Sequence, residues 1–249
     1  SPRLGQDPSR RLDTREELDW YKEEIRQKVG EEYANEIDAA IEQSLELKEL
    51  GDDVEAIVTI PVAAASESEN IYKTLSIYAQ QEDASAKVPV LLHVNWFDSA
   101  EGDATKKAKI DKTWAEIERA RQNFPNLKIA TIRTVWSGEK LSRGEYGNGM
   151  IGHVTQRLYD TAMMAVQRGM AEGRISNKEI LLIRNDADAQ GMDAKYLDRM
   201  LRLFNRHPEK DVFTGAVRWE TARHRDFPGF AFVTNFREIM HVLTNRPGI

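Results

Sequence analysis

Ile180-Leu-Leu-Ile-Arg-Asn-Asp-Ala-Asp-Ala-Gln-Gly-Met-Asp193 is the stretch that decides the fold. A short apolar run bounded by turn-forming residues reads as a strand buried on both faces. It passes directly into Asp186-Ala187-Asp188, and Asp193 then caps a helix expected to reach Asn205. Upstream, Val54–Val62, Val88–Val94 and Leu127–Val135 have the same strand character. Between them, Asn70–Gln81, Ala104–Asn123 and Val154–Gly169 place apolar residues at spacings of three and four, the signature of helices with one buried face. Downstream, Asp211–Val217 is a fifth strand. Near-continuous apolar strands alternating with one-sided helices predict an α/β protein with a mostly parallel sheet and helices on both faces. Ligands of such sheets gather beyond the C-terminal strand ends, here after Ile60, Val94, Val135 and Ile183.

The first 50 residues have a different texture. Leu18, Tyr21, Ile25 and Val29, then Tyr33, Ile37, Ile41 and Leu45, form two apolar stripes interrupted at Gly30. Thr14 followed by Glu17 reads as a capping box. A helical hairpin is expected, packed on the main domain or on a partner, with self-association of the chain through these helices as one outcome. The organisation predicted is an N-terminal helical extension over 1–50 and an α/β domain over 51–249. The last stretch, Phe230–Val242, reads as a helix leading onward, and the chain opens on Ser rather than Met, so a domain cut from a longer protein is expected.

The 249 residues include 35 basic and 41 acidic side chains, a formal net charge of -6. That balance argues against a phosphate-backbone binder, which carries a basic excess or stripe, so nucleic acid is not an expected partner. The absence of Cys excludes disulfides, thiolate metal sites and a Cys nucleophile. No apolar run approaches the ~18 residues of a membrane helix. A cytoplasmic location is expected, as a free protein or as the cytosolic domain of a larger membrane-associated one.

Asp186 and Asp188, one residue apart at the ligand end of a strand, can share a hard divalent cation. Mg²⁺ and Mn²⁺ take oxygen ligands and usually retain water and substrate phosphate in their shells. Between two carboxylates and a diphosphate, such a cation turns repulsion into attraction. The alternative is a pair of solvated turn residues. A calcium loop would need an acid at its twelfth position, where Leu197 stands, and a preceding helix rather than a strand. Gly147-Asn-Gly149-Met-Ile-Gly152 matches a dinucleotide fingerprint in letters only, since it does not directly follow the first strand.

Taken together, Ile57-Val-Thr-Ile-Pro-Val62, Glu69-Asn-Ile-x-x-Thr-Leu75 with Gln80, Asp186-Ala-Asp188, Tyr196-Leu197 and Gly215 resemble the family 2 glycosyltransferases over roughly Val54 to Val217. The resemblance implies a GT-A fold, that is, a nucleotide-diphospho-sugar transferase-like, Rossmann-like sheet. It implies a D-x-D motif at Asp186–Asp188 and transfer of a sugar from a nucleotide-diphosphate donor to a saccharide, lipid or small-molecule acceptor. By the same analogy Pro61 and Val62 border the base, Asp186 lies near ribose or metal, and Asp188 ligates Mg²⁺ or Mn²⁺ against the pyrophosphate. Lys140 and Arg143 stand between the third strand and the glycine-rich loop, placed to meet phosphate or base, or to serve only as surface cations. Glu69 reads as a helix-start residue.

The sequence departs from the family pattern in several places. Ala63-Ala64 replaces an aromatic and polar pair, and where an acid usually contacts the base the second strand ends in Asn95, with Asp98 the nearest carboxylate. The family's later acidic motif, source of its catalytic base, has no recognisable version; Glu220 and Asp226 are the nearest acids. Among the five His, His93 in its apolar strand reads as a hydrogen-bonded core group, while His224 stands in a polar segment that could reach a leaving diphosphate. Trp219 could stack on a sugar or pack internally. The function expected is therefore a metal-dependent glycosyltransferase. A nucleotidyltransferase is disfavoured because Ala63-Ala-Ala-Ser66 carries no cation. A non-catalytic sugar-nucleotide sensor or scaffold is the third reading.

Overall fold

The structure, a computed structural model, describes residues 14–81, 85–144, 150–176, 179–189 and 191–207, without the side chains of Thr14 and Glu17. The capping-box pair, Gly147 and Gly149, the fifth strand, Trp219, Glu220, His224, Asp226 and the helix expected over 230–242 lie outside the described residues. The chain divides into two units after Leu201, and the first of them holds the sheet.

The described elements of the chain run α1 (Thr14–Lys28), α2 (Glu31–Gln43), α3 (Leu45–Lys48), β1 (Ala56–Ala63), α4 (Ile71–Ala79), β2 (Val90–Phe97), α5 (Ala104–Asn123), β3 (Ile129–Trp136), α6 (Gly138–Ser142), α7 (Met150–Ala171), β4 (Leu181–Arg184) and α8 (Tyr196–Arg206), with a 3₁₀ turn over Asp98–Ala100. The four described strands form one sheet in the order β3-β2-β1-β4. All its pairings are parallel, with Val58 opposite Val90, Val90 opposite Ile129, and Val58 opposite Ile183. This is an α/β architecture of Rossmann-like kind. The chain steps outward from β1 to β2 to β3, then returns across the sheet to lay β4 on the other side of β1. The crevice between the C-terminal ends of β1 and β4 is thus the topological switch point, where open α/β sheets bind ligands.

Alternation along the strands sorts the two faces. Ile57, Leu91, Ala130, Ile132 and Trp136 join Val154, Leu158, Ala162 and Ala165 of α7 in one apolar cluster. The same cluster takes in Ile25, Ile37, Ile41, Leu47 and Leu50, so α1–α3 cover α7 and share its core with the sheet. On the other side lie α4 and α5, which pack on each other. There the Thr113 hydroxyl donates to the Ala64 carbonyl at 2.7 Å, fastening α5 to the end of β1.

Each N-terminal stripe is exposed only at its last residue. Ile37 and Ile41 are fully buried, whereas Val29 is 52% and Leu45 63% exposed. Val29 falls beyond the end of α1, just before Gly30, whose φ of 124° no β-carbon tolerates readily. Leu45 fails for a different reason. Ser44 breaks α2 and caps α3, its hydroxyl oxygen accepting from the Leu47 amide, and the new helical phase turns Leu47 inward in place of Leu45.

Candidate functional site

The chain leaves the sheet at Arg184, which pairs with Thr59 of β1. The next amide, Asn185, donates to the Thr59 carbonyl at 3.1 Å, so the loop starts in strand register. Ala187 is buried to 4%, and its carbonyl accepts a 2.6 Å bond from the buried Thr74 hydroxyl of α4. Asp186 and Asp188, on either side of it, are exposed. The middle residue is thus buried, and the carboxylates on either side of it are both exposed after the end of β4.

α4 holds the rest of the loop. The Asn185 amide donates to the Tyr78 hydroxyl at 2.6 Å. Tyr78 is fully buried, and burial pushes its hydroxyl far above the usual phenol range, so it stays protonated. One turn on, the Gln81 side chain donates to the Asp193 carbonyl and accepts from the Leu197 amide, both at 3.0 Å. Asp193 in turn accepts from the Lys195 amide at 2.9 Å at the start of α8. Thr74, Tyr78 and Gln81 thus bind the segment from Asn185 to Leu197 at four places. Sequence reasoning had placed Thr74 in a family pattern and Gln80 as its companion. Gln80 is exposed, and Gln81 makes the contacts.

Asp186 is not idle. Its Oδ1 accepts from Arg184 at 2.7 Å across two exposed or half-exposed side chains. Such a pair is worth at most about 1 kcal/mol and yields readily to a stronger ligand.

The remaining predicted residues divide in two. Pro61 is half-buried, while Val62 beside it is fully buried and presents its carbonyl rather than its side chain. Asn95 is used internally. Its amide donates to the Val62 carbonyl at 3.0 Å and to the His93 carbonyl at 3.1 Å, and its oxygen accepts from the Trp136 indole at 3.2 Å. Asp98 joins the end of β2 to the start of α6, accepting from the Ser99 amide at 2.7 Å and the Gly138 amide at 3.1 Å. Lys140 and Arg143 are exposed at α6, with Arg143 3.5 Å from Glu139. The expected Pro61–Val62 turn is strand in the structure, inside β1, so Asp186 and Asp188 follow β4 while Pro61 and Val62 lie near the end of β1, on the two strands flanking the switch point. Asn95 and Asp98 brace the adjoining strand end.

Beneath β2 and β3 lies a polar network that sequence reasoning missed. Asp160 of α7 is 2% exposed and accepts from the Tyr21 and Tyr33 hydroxyls at 2.7 and 2.8 Å and from Gln156 at 2.8 Å. Arg157 pairs with Glu36 at 2.5 Å and donates to the Thr134 hydroxyl at 3.1 Å. Thr134 also lies 2.9 Å from His93 Nε2, whose other ring nitrogen meets the Val154 carbonyl at 3.2 Å.

Replacing Thr74 by Val keeps the shape but leaves the buried Ala187 carbonyl without its donor. A loss of about 1–2 kcal/mol in urea unfolding is expected, the cost of an unsatisfied buried acceptor. A change under about 0.3 kcal/mol would show that the loop is held otherwise.

Among the described residues no group of three or more His, Asp or Glu converges as a ready-made metal cage, and no helix is long and apolar enough to cross a membrane. Compared with protein-family models, with curated proteins and with solved structures, the chain matches none.

Proposed function

We propose that the chain is a metal-dependent glycosyltransferase domain of GT-A type. It takes a nucleotide-diphosphate sugar at the crevice between β1 and β4 and passes the sugar to an acceptor hydroxyl on a saccharide, lipid or small molecule. The observation that carries this reading is the exposure of Asp186 and Asp188 on either side of the buried Ala187, at the switch point of a parallel sheet.

The donor set suits Mg²⁺ or Mn²⁺. Two exposed carboxylates supply oxygen ligands and leave room for water and phosphate oxygens, the shell these ions prefer to an all-protein cage. A cation held by Asp186 and Asp188 would offset the charge that gathers on a departing nucleotide diphosphate. The chain's own contribution is orientation. Thr74, Tyr78 and Gln81 fix the loop that carries both carboxylates, and Arg184 holds Asp186 at the surface until a ligand competes for it. Preorganised ligands of this kind lose little entropy when substrate arrives.

Titration calorimetry with UDP, GDP, ADP and CDP, each with Mn²⁺ and with EDTA, tests the reading. One nucleotide is expected to bind only with the metal. Asp188→Ala should then lower that affinity by at least the ~10–100-fold that losing even an outer-shell partner costs a metal site. Thermal stability should be unchanged, because the side chain is exposed. Metal-independent binding, or normal binding by Asp188→Ala, would overturn the assignment. Failure of all four nucleotides would favour the scaffold reading.

A further inference from the structure

We propose that the N-terminal helical hairpin regulates the nucleotide end of the sheet, with Arg157 as the positioning residue through which α2 holds Trp136 and, through Trp136, Asn95. This rests on the nucleotide-site reading above and extends it to residues far from the two carboxylates.

The connection is continuous. Glu36 of α2 pairs with Arg157 Nη2 at 2.5 Å, and the guanidinium side chain is only 11% exposed. Its carbon lies 5.0 Å from the centre of the Tyr33 ring and 5.6 Å from that of Trp136, so the cation is held between a hairpin ring and a strand-end ring. The Trp136 indole N–H donates to Asn95, and Asn95 donates to the Val62 carbonyl near the end of β1. Each member has its orientation set by the one before it.

Charge explains why the hairpin controls this chain of contacts. Glu36 is the acid that pairs with Arg157, and the Arg157 Nε–H is buried with no acceptor among the described residues. A buried cation deprived of its counter-charge is strongly disfavoured. Once Glu36 is neutralised or lifted away, the guanidinium is driven toward water. The indole then loses its covering cation and the Asn95 bridge loses its anchor. A change in the Glu36–Arg157 pair would therefore be felt at the end of β1, beside the donor site.

Spatial continuity alone does not establish coupling, so the test measures it directly. Hydrogen exchange by mass spectrometry on the whole chain would compare wild type, Glu36→Gln, Trp136→Phe and the double variant. Trp136→Phe keeps a ring under Arg157 but removes the donor to Asn95. Glu42→Gln serves as control, because Glu42, on the same hairpin, pairs with Arg168 of α7 and with Lys48 rather than with Arg157. Glu36→Gln is expected to speed exchange in peptides covering 57–63 and 90–97, and Glu42→Gln is expected not to. In calorimetry, Glu36→Gln and Trp136→Phe should each weaken the metal–nucleotide complex by about fivefold, the lower range of measured site-to-site coupling. The double variant should do little worse than either alone.

Exchange changes confined to 14–48, or equal changes in Glu36→Gln and Glu42→Gln, would overturn the proposal. If wild type binds no nucleotide, the donor-site reading fails, and the exchange result still decides whether the hairpin and the strand ends are coupled.

Discussion

Asp160→Ala will lower the unfolding free energy by about 3–5 kcal/mol, the lower part of what three orphaned donors cost at about 1–3 kcal/mol each. The carboxylate is 2% exposed and accepts three bonds, from Tyr21 on α1, Tyr33 on α2 and Gln156 one turn earlier on α7. It is therefore the point at which both helices of the hairpin meet the long helix under the sheet. No cation forms a salt bridge with it among the described residues; its charge is compensated by neutral donors. Burial and the carboxylate together hold both tyrosine hydroxyls far above the usual phenol range, so they remain donors at any working pH. Alanine would leave these donors facing a small cavity, each orphaned group adding about 1–3 kcal/mol where water does not reach it. Both tyrosines are only partly buried, which keeps the expected total at the lower end of the simple sum. Urea unfolding would show the effect as a lower midpoint at unchanged slope. Asp160→Asn, which keeps an acceptor oxygen, should recover a large part of the loss. A loss below about 1 kcal/mol in Asp160→Ala would mean that the apolar contacts of Ile25, Ile37 and Ile41 seat the hairpin without the polar cluster.

Much of this fold was legible because parallel strands buried on both faces leave continuous apolar runs. Ile57-Val-Thr-Ile and Val88–Val94 show it, and α4, α5 and α7 follow from their spacings. The position of β4 beside β1 was not legible, since one sequence carries no signal for which strands pair. The exposed carboxylates stood out as charges directly after an apolar strand. Their anchors did not, because Thr74 and Tyr78 at helical spacing look like members of an apolar face. Asn95 and Asp98 read as base contacts through the family resemblance, and only the positions of Trp136 and Gly138 show that they bond inward. Arg157 and Asp160 sit beside the Val154–Leu158–Ala162 stripe, on a flank that would be solvated if nothing covered it. They are buried because α1 and α2 lie over that flank, and a long-range covering of this kind leaves no local trace.

His93 makes the second large effect one of pH. Acidifying from pH 6.5 to about 4 should cost wild type about 3 kcal/mol that a His93→Gln variant does not lose. The ring is fully buried, and burial, with help from the Arg157 guanidinium, pushes its pKa down from the ordinary 6.5 to about 4, against the opposing pull of the Val154 carbonyl. The hydrogen bonds fix which nitrogen carries the proton. A carbonyl only accepts, so Nδ1–H donates to Val154 at 3.2 Å, and Nε2 accepts the Thr134 hydroxyl at 2.9 Å. Thr134 has its own oxygen turned to Arg157 at 3.1 Å. A second ring proton would therefore displace the Thr134 donor and bring a positive charge toward a guanidinium. Native protein resists this, whereas the unfolded chain accepts the proton near 6.5. Between the two values the unfolded state binds more protons, so stability falls as pH falls, by about 1.4 kcal/mol for each unit of separation. Carboxylates titrate over the lower part of this range in both proteins, so the informative quantity is the difference between the two stability curves. Urea unfolding of wild type and His93→Gln at half-unit steps from about pH 7 to about 4 measures it. Wild type should show the steeper descent below 6.5, and parallel curves would mean that native His93 takes up its proton as readily as the unfolded chain does.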